Sequence, residues 1–179
     1  MLALTVSLAA LFAAPTPAQA ASPLRTPKPA TQTANARAAT APRCKTAGLV
    51  MWLNPEDSGT AGSFYYKLEF VNLSGSTCTL AGYPGVSAVS LSGRQIGASA
   101  KREATVRPRT VTLPPEGEAT TLVHVVDVGA LPSSCRPTAA AGFRVYPPGE
   151  SASKVVSYPF RTCTNARESD MWVRALKRE

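Results

Sequence analysis

Phe64-Tyr65-Tyr66-Lys67-Leu68-Glu69-Phe70-Val71 decides the fold class. In an extended chain, alternation sets Phe64, Tyr66, Leu68 and Phe70 on one face and Tyr65, Lys67, Glu69 and Val71 on the other. A period of two, rich in aromatic residues, is the pattern of a strand half buried against a core. From Cys44 onward no run with a helical period competes with it.

Working outward, Leu49 to Leu53 makes a second strand. It joins the first through the turn-rich Asn54-Pro55-Glu56-Asp57-Ser58-Gly59, so the two read as a hairpin. Val86 to Leu91 ends at Ser92-Gly93, a hairpin-type turn, and Arg94 to Ile96 returns from it. Val111 to Leu113 leads through Pro114-Pro115-Glu116-Gly117 into Thr120 to Val128. That last run is apolar on both faces, with Leu122 and Val126 opposite Val123 and Val125, and is expected at the centre of a sheet. Phe143 to Tyr146 turns at Pro147-Pro148-Gly149 and returns as Val155 to Phe160, and Met171 to Leu176 is the last run. Eight to ten short strands at this spacing predict an all-β fold, an immunoglobulin-like antiparallel β-sandwich.

Four cysteines allow three connectivities. Hairpin geometry chooses among them, because the start of one antiparallel strand lies beside the end of the next. Cys44 precedes the first strand and Cys78 follows the second, while Cys135 and Cys163 flank the strands at Phe143 and Val155 in the same way. The predicted bridges are Cys44–Cys78 and Cys135–Cys163. Each closes a loop of roughly 30 residues, worth on the order of 3–4 kcal/mol in the chain-entropy model. Metal or thiol-redox chemistry calls for a closely spaced pair such as C-x-x-C, and the sequence has none.

Disulfides belong to oxidising compartments, and the start of the chain agrees. Residues Met1 to Ala20 carry no charge, and their apolar run from Leu2 to Ala14 is shorter than the ~20 residues of a membrane span. Ala18-Gln19-Ala20 supplies the small residues a signal peptidase requires, although no Lys or Arg precedes the apolar run. We therefore expect a secretory signal peptide over 1–20, a disordered Ala/Thr/Pro linker over 21–43 and one β-sandwich domain over 44–179. Nothing after the leader approaches membrane length, so the expected location is extracellular, in the medium or at the cell envelope.

The formal net charge is +8. Arg25, Lys28, Arg37 and Arg43 supply half of it, and in residues 44–179 fifteen Lys and Arg face eleven Asp and Glu. That domain is only mildly basic.

Asn72-Leu73-Ser74-Gly75-Ser76-Thr77-Cys78-Thr79-Leu80-Ala81-Gly82-Tyr83-Pro84-Gly85-Val86 resembles the signature of domain-of-unknown-function family 4232. Gly59 to Phe70, Gln95-Ile96-Gly97, Ala141-Gly142-Phe143-Arg144-Val145-Tyr146-Pro147-Pro148-Gly149 and Cys163 also fit its pattern, so the resemblance covers nearly all of Cys44 to Leu176. It implies a secreted or envelope-attached actinobacterial β-sandwich. It brings no established activity and carries over no catalytic residue.

Candidate chemistry is sparse. His124 is the only histidine and stands mid-strand among Val and Leu, where sheet-face or core packing is the ordinary role. Asp127, three residues on in the same strand, should face the other side and so cannot orient it. Glu116 and Glu118 share a turn, unlike the paired acids of a glycosidase, which come from separate elements. No Gly-rich loop follows a strand and opens a helix, and no cofactor is implied. Trp52 and Trp172 are expected in the core, with a sugar platform as the other reading of a Trp on a sandwich face.

One charge concentration stands out. Arg94, Lys101, Arg102, Arg107 and Arg109 form a basic stretch offset only by Glu103, a candidate contact loop for an anionic envelope polymer, a lipid headgroup or a protein. It lacks the interleaved aromatic residues of a nucleic-acid groove. The sequence thus points to an exported, non-enzymatic binding module. The alternatives are a secreted hydrolase with an unrecognised site, or an inhibitor presenting the loop around Lys101 to Arg109.

Overall fold

The computed structural model describes residues 41–55, 59 and 61–179. The leader read over 1–20, the linker up to residue 40 and the turn residues 56–58 lie outside the described residues. Ala41 to Arg43, read as the end of the linker, are already tied to the domain. Thr79 donates its backbone N–H to the Pro42 carbonyl at 2.8 Å, and Arg43 bridges Thr79 in parallel.

The chain is all-β, with only short 3-10 turns among the described residues. The first six strands are β1 (Leu49–Pro55), β2 (Ser63–Asn72), β3 (Cys78–Ala81), β4 (Gly85–Val89), β5 (Gln95–Ile96) and β6 (Lys101–Arg102). The rest are β7 (Thr110–Leu113), β8 (Glu118–Val126), β9 (Pro137–Tyr146), β10 (Lys154–Cys163), β11 (Met171–Val173) and β12 (Lys177–Arg178). Three sheets result: a six-stranded one ordered β1-β2-β8-β11-β6 with β12 also on β8, a four-stranded one ordered β10-β9-β4-β5, and the pair β3-β7. All pairings between strands are antiparallel except β11 with β6.

The run that decided the fold sits where its pattern requires. β2 pairs with β1 on one side and β8 on the other, Leu68 standing beside both Leu53 and Thr121. Tyr66, Leu68 and Phe70 are buried, and the core they enter also takes Val86, Phe143, Val145 and Val156 from the four-stranded sheet. Tyr66 meets Phe143 and Tyr158 across the gap between the sheets, at centroid distances of 5.8 and 5.0 Å. Phe64 departs from the expectation, since at the start of the strand it is 45% exposed. The expected central strand is β8, which adjoins β2, β11 and β12.

Both disulfides are present, Cys44–Cys78 and Cys135–Cys163, and each brackets a hairpin, β1–β2 and β9–β10. Cys163 lies in register with Pro137 at the open end of its hairpin. One glycine there has no substitute. Gly97 has φ +62°, and a Cβ on it would collide with the Cys163 carbonyl.

Three strands have no counterpart in the sequence pattern: β3, β6 and β12. All are short, and β6 and β12 consist of two charged, exposed residues each. Their extended form comes from a neighbour's free edge, β11 for one and β8 for the other.

Candidate functional site

The outer face of the large sheet is ordered by register. Tyr65, His124, Trp172 and Lys101 stand side by side across β2, β8, β11 and β6. The three rings stack on one another, Tyr65 to His124 at 4.7 Å and His124 to Trp172 at 5.4 Å. Two outward rows along, past Lys67 and Leu122, Trp52 stands beside Glu69, with the indole Nε1 donating to Glu69 Oε2 at 2.5 Å. Both tryptophans are therefore on the outer face and not in the core. Their places follow from strand parity, since Trp52 pairs with outward Glu69 and Trp172 with outward His124.

The ring stack bears on catalysis and on sugar binding. His124 Nε2 lies 2.9 Å from Ser63 Oγ, a nucleophile–base distance. Burial pushes the imidazole below its ordinary value, against the attraction of Glu103. Yet among the described residues no acid bonds to Nδ1. Asp127 lies beyond the end of β8, accepting the Gly129 N–H at 2.8 Å as the cap of a 3-10 turn over Val128–Ala130, because the strand stops one residue before it. The rings face one another, so the broad surfaces a sugar would stack on are largely taken.

A cleft with room for a partner lies beside this row. β11 pairs with Val123–Val125 of β8 and β12 with Ala119–Thr120. Between them Arg174-Ala175-Leu176 steps away from β8, held by Arg174 N–H to the Leu122 carbonyl at 3.0 Å and Thr121 Oγ1 to the Arg174 carbonyl at 2.7 Å. The opposite wall is the segment joining β6 to β7. Glu103 anchors its start, accepting from Arg174 Nε at 2.9 Å and Nη2 at 3.1 Å and donating its own N–H to the Val173 carbonyl at 2.9 Å. Further along, the Tyr83 hydroxyl reaches the Val106 carbonyl at 3.5 Å, and Arg102 lies over the Tyr83 ring. A cleft of about 570 Å³ opens between the walls.

Its electrostatics are one-sided. Arg107, Arg109, Arg174, Lys177 and Arg178 line it, with Glu103 as its one acid. The Arg174 guanidinium holds the Glu103 carboxyl below the usual carboxylate range, and Glu103 in turn raises Arg174. That pair cancels, whereas Arg107, Arg109, Lys177 and Arg178 make no ion pair among the described residues. Outside the cleft lining, residues 44–179 hold ten cations and ten acids. The domain's whole net charge of four thus stands in one cleft.

The predicted contact loop is accordingly divided. Arg107 and Arg109 line the cleft, Lys101 and Arg102 form β6 at its approach, and Arg94 stands in the turn between β4 and β5 of the other sheet. Arg174, Lys177 and Arg178 lie outside that basic stretch of the sequence. They are about seventy positions from Arg107, and the pairing of β11 with β6, together with the bonds from Glu103 to Val173 and Arg174, brings the two segments together. Among the described residues no group of three or more His, Cys, Asp or Glu is placed to hold a metal ion.

A family model described as Domain of unknown function (DUF4232) matches residues 44–176. The chain belongs to this family. No curated protein matches the chain, and no solved structure does. In this DUF4232 domain the motif from Asn72 to Val86 has a structural account. Asn72 is fully buried; its Nδ2 donates to the carbonyls of Ser76, Leu113 and Pro114, and its Oδ1 accepts from the N–H and hydroxyl of Ser74. Tyr83 supports the cleft wall from the far end of the same motif.

Proposed function

We propose that this DUF4232 chain is an exported, non-enzymatic binding module that holds an anionic partner in the cleft between the β6–β7 segment and the C-terminal strands. One observation carries the reading: the net charge of an otherwise balanced domain is gathered on the walls of that cleft. Concentrated like charge between low-dielectric walls focuses the field and draws a counter-ion. Unpaired cations held so close repel one another, a cost that a bound anion would remove.

Two disulfides suit an oxidising compartment, in keeping with the apolar leader. Among the described residues no helix is long and apolar enough to cross a membrane. An envelope polymer or an envelope protein with an acidic surface matches the cleft's charge and the expected location.

The double substitution Arg107→Gln/Arg109→Gln tests the reading, with inorganic polyphosphate as the probe in titration calorimetry. The parent should bind, with affinity falling as salt rises, and the variant should bind at least about tenfold more weakly. Both side chains are exposed, so the melting temperature should stay put. Binding that survives the double substitution would place the site elsewhere.

A further inference from the structure

We infer that the partner of this cleft is an amphiphilic anion: a single molecule with a phosphate or carboxylate head and a hydrocarbon body. The inference rests on the cleft being the binding site, and it adds the chemistry of what enters.

Volume is the first argument. About 570 Å³ lies in the middle of the range of small-molecule sites, roughly 300–1,000 Å³, and far exceeds a lone phosphate. A ligand that uses the space has a body as well as a charge. Lining is the second argument. Between the cations the cleft is lined by the half-buried Leu122 and Ala175, backed by Val111 and Leu176 of the core, with the exposed Val106 at the rim.

Val106 is the telling residue. It is 69% exposed, a β-branched apolar side chain flanked by Thr105 and Arg107 on a charged segment. Its carbonyl meets the Tyr83 hydroxyl at 3.5 Å, and its side chain lines the cleft without being buried there. Leu122 stands in the outer-face row between Lys67 of β2 and the Arg174 segment, half buried where a surface strand ordinarily carries a polar residue. A groove built for a polyanion alone gains nothing from these two. For an amphiphile they are the floor and lip, and Arg107, Arg109, Lys177 and Arg178 are the collar for its head.

Alkyl phosphates below their micelle concentration test this on the full domain. Decyl phosphate should bind at least tenfold more tightly than butyl phosphate, since each methylene leaving water contributes about fourfold when it is fully buried. Decanoate beside decyl phosphate separates a carboxylate from a phosphate head. Val106→Ser/Leu122→Thr should bring decyl and butyl phosphate within about twofold of each other. Amide shift mapping on the unsubstituted protein gives a readout independent of variant folding. Decyl phosphate should move Val106, Val111, Leu122 and Leu176, and butyl phosphate mainly Arg107, Arg109, Lys177 and Arg178.

Polyphosphate binding with no dependence on alkyl length would overturn the amphiphile and leave the anion-binding reading standing. Binding to phosphatidylglycerol vesicles without binding of any monomeric alkyl anion would likewise overturn it in favour of a membrane surface. If neither alkyl anions nor polyphosphate bind, both readings fall.

Discussion

The two disulfides look alike in sequence and do different work in the fold. They close spans of 34 and 28 residues and each brackets a hairpin. Cys44 and Cys78 are part of the main core, a cluster that takes side chains from every sheet. Cys135 and Cys163 belong to a separate small cluster whose other members are Val128 and the partly buried Leu131. One bridge reinforces a core that exists without it. The other supplies most of a core that would otherwise be too small to hold the end of its hairpin. A disulfide can thus add to hydrophobic burial or stand in for it, and spacing alone does not tell which.

Removing the bridges one at a time breaks or sharpens this contrast. Cys44→Ala/Cys78→Ala and Cys135→Ala/Cys163→Ala should each cost about 3–4 kcal/mol in urea unfolding, because loop entropy depends weakly on length. The distribution of the loss should differ. Without Cys44–Cys78, hydrogen exchange should quicken throughout the β1–β2–β8 ladder in step with global stability. Without Cys135–Cys163, opening should be local, concentrated in residues 128–137 and 163–170. The same exchange pattern in both variants would erase the distinction.

Each clamp also has a buried polar residue beside it, and the pair extends the comparison at smaller scale. Asn72 serves the loop that leads to Cys78, and all its hydrogen-bonding capacity is taken up. Asp170, 2% exposed, accepts from Thr162 Oγ1 at 2.8 Å and from the Cys163 N–H at 3.0 Å. Asn72→Ala strands several buried groups and should cost about 2–4 kcal/mol. Asp170→Asn keeps the shape and an acceptor oxygen and should cost about 1 kcal/mol. Thermal melts of the two variants check the order. If Asp170→Asn proved the costlier, the second clamp would depend on polar bonding more than on its disulfide.

Much of this frame was legible in the sequence because its signals are local. The period-two run at Phe64 to Val71 is a property of eight consecutive residues, and the hairpin turns and cysteine brackets follow from neighbours along the chain. The cleft is legible only in part. Arg107 and Arg109 are visible as a charge cluster, but Arg174, Lys177 and Arg178 join them through the pairing of β11 with β6 and of β12 with β8, which no local pattern encodes. Arg94 misleads for the converse reason: thirteen residues from Arg107 in sequence, it sits on the other sheet. Strand parity would have turned Trp52 and Trp172 outward. It needs the register of β1 and β11, and composition alone favours burying a tryptophan.

The smallest effect separates the two halves by pH. His124 is packed between Tyr65, from the hairpin of the first clamp, and Trp172. Burial lowers its affinity for a proton in the folded state, with Glu103 opposing and Arg174 assisting. The unfolded chain therefore binds the proton more readily, and stability rises with pH across that window. It is complete above the ordinary histidine value of 6.5 and declines as pH falls from there through the lower folded value. Urea unfolding at pH 7.5 and 5.5 should show this decline in the parent and a flatter profile in His124→Gln, whose carboxylates are the same. The loss should be a fraction of that from either missing disulfide, because the imidazole is only half buried and water screens it. Exchange measured at one pH on the parent and variant should place the difference in β2, β8 and β11, leaving the β9–β10 hairpin unmoved. An equal response in β9–β10 would mean that protonation loosens the whole core, and the two clamped regions would then be one cooperative unit.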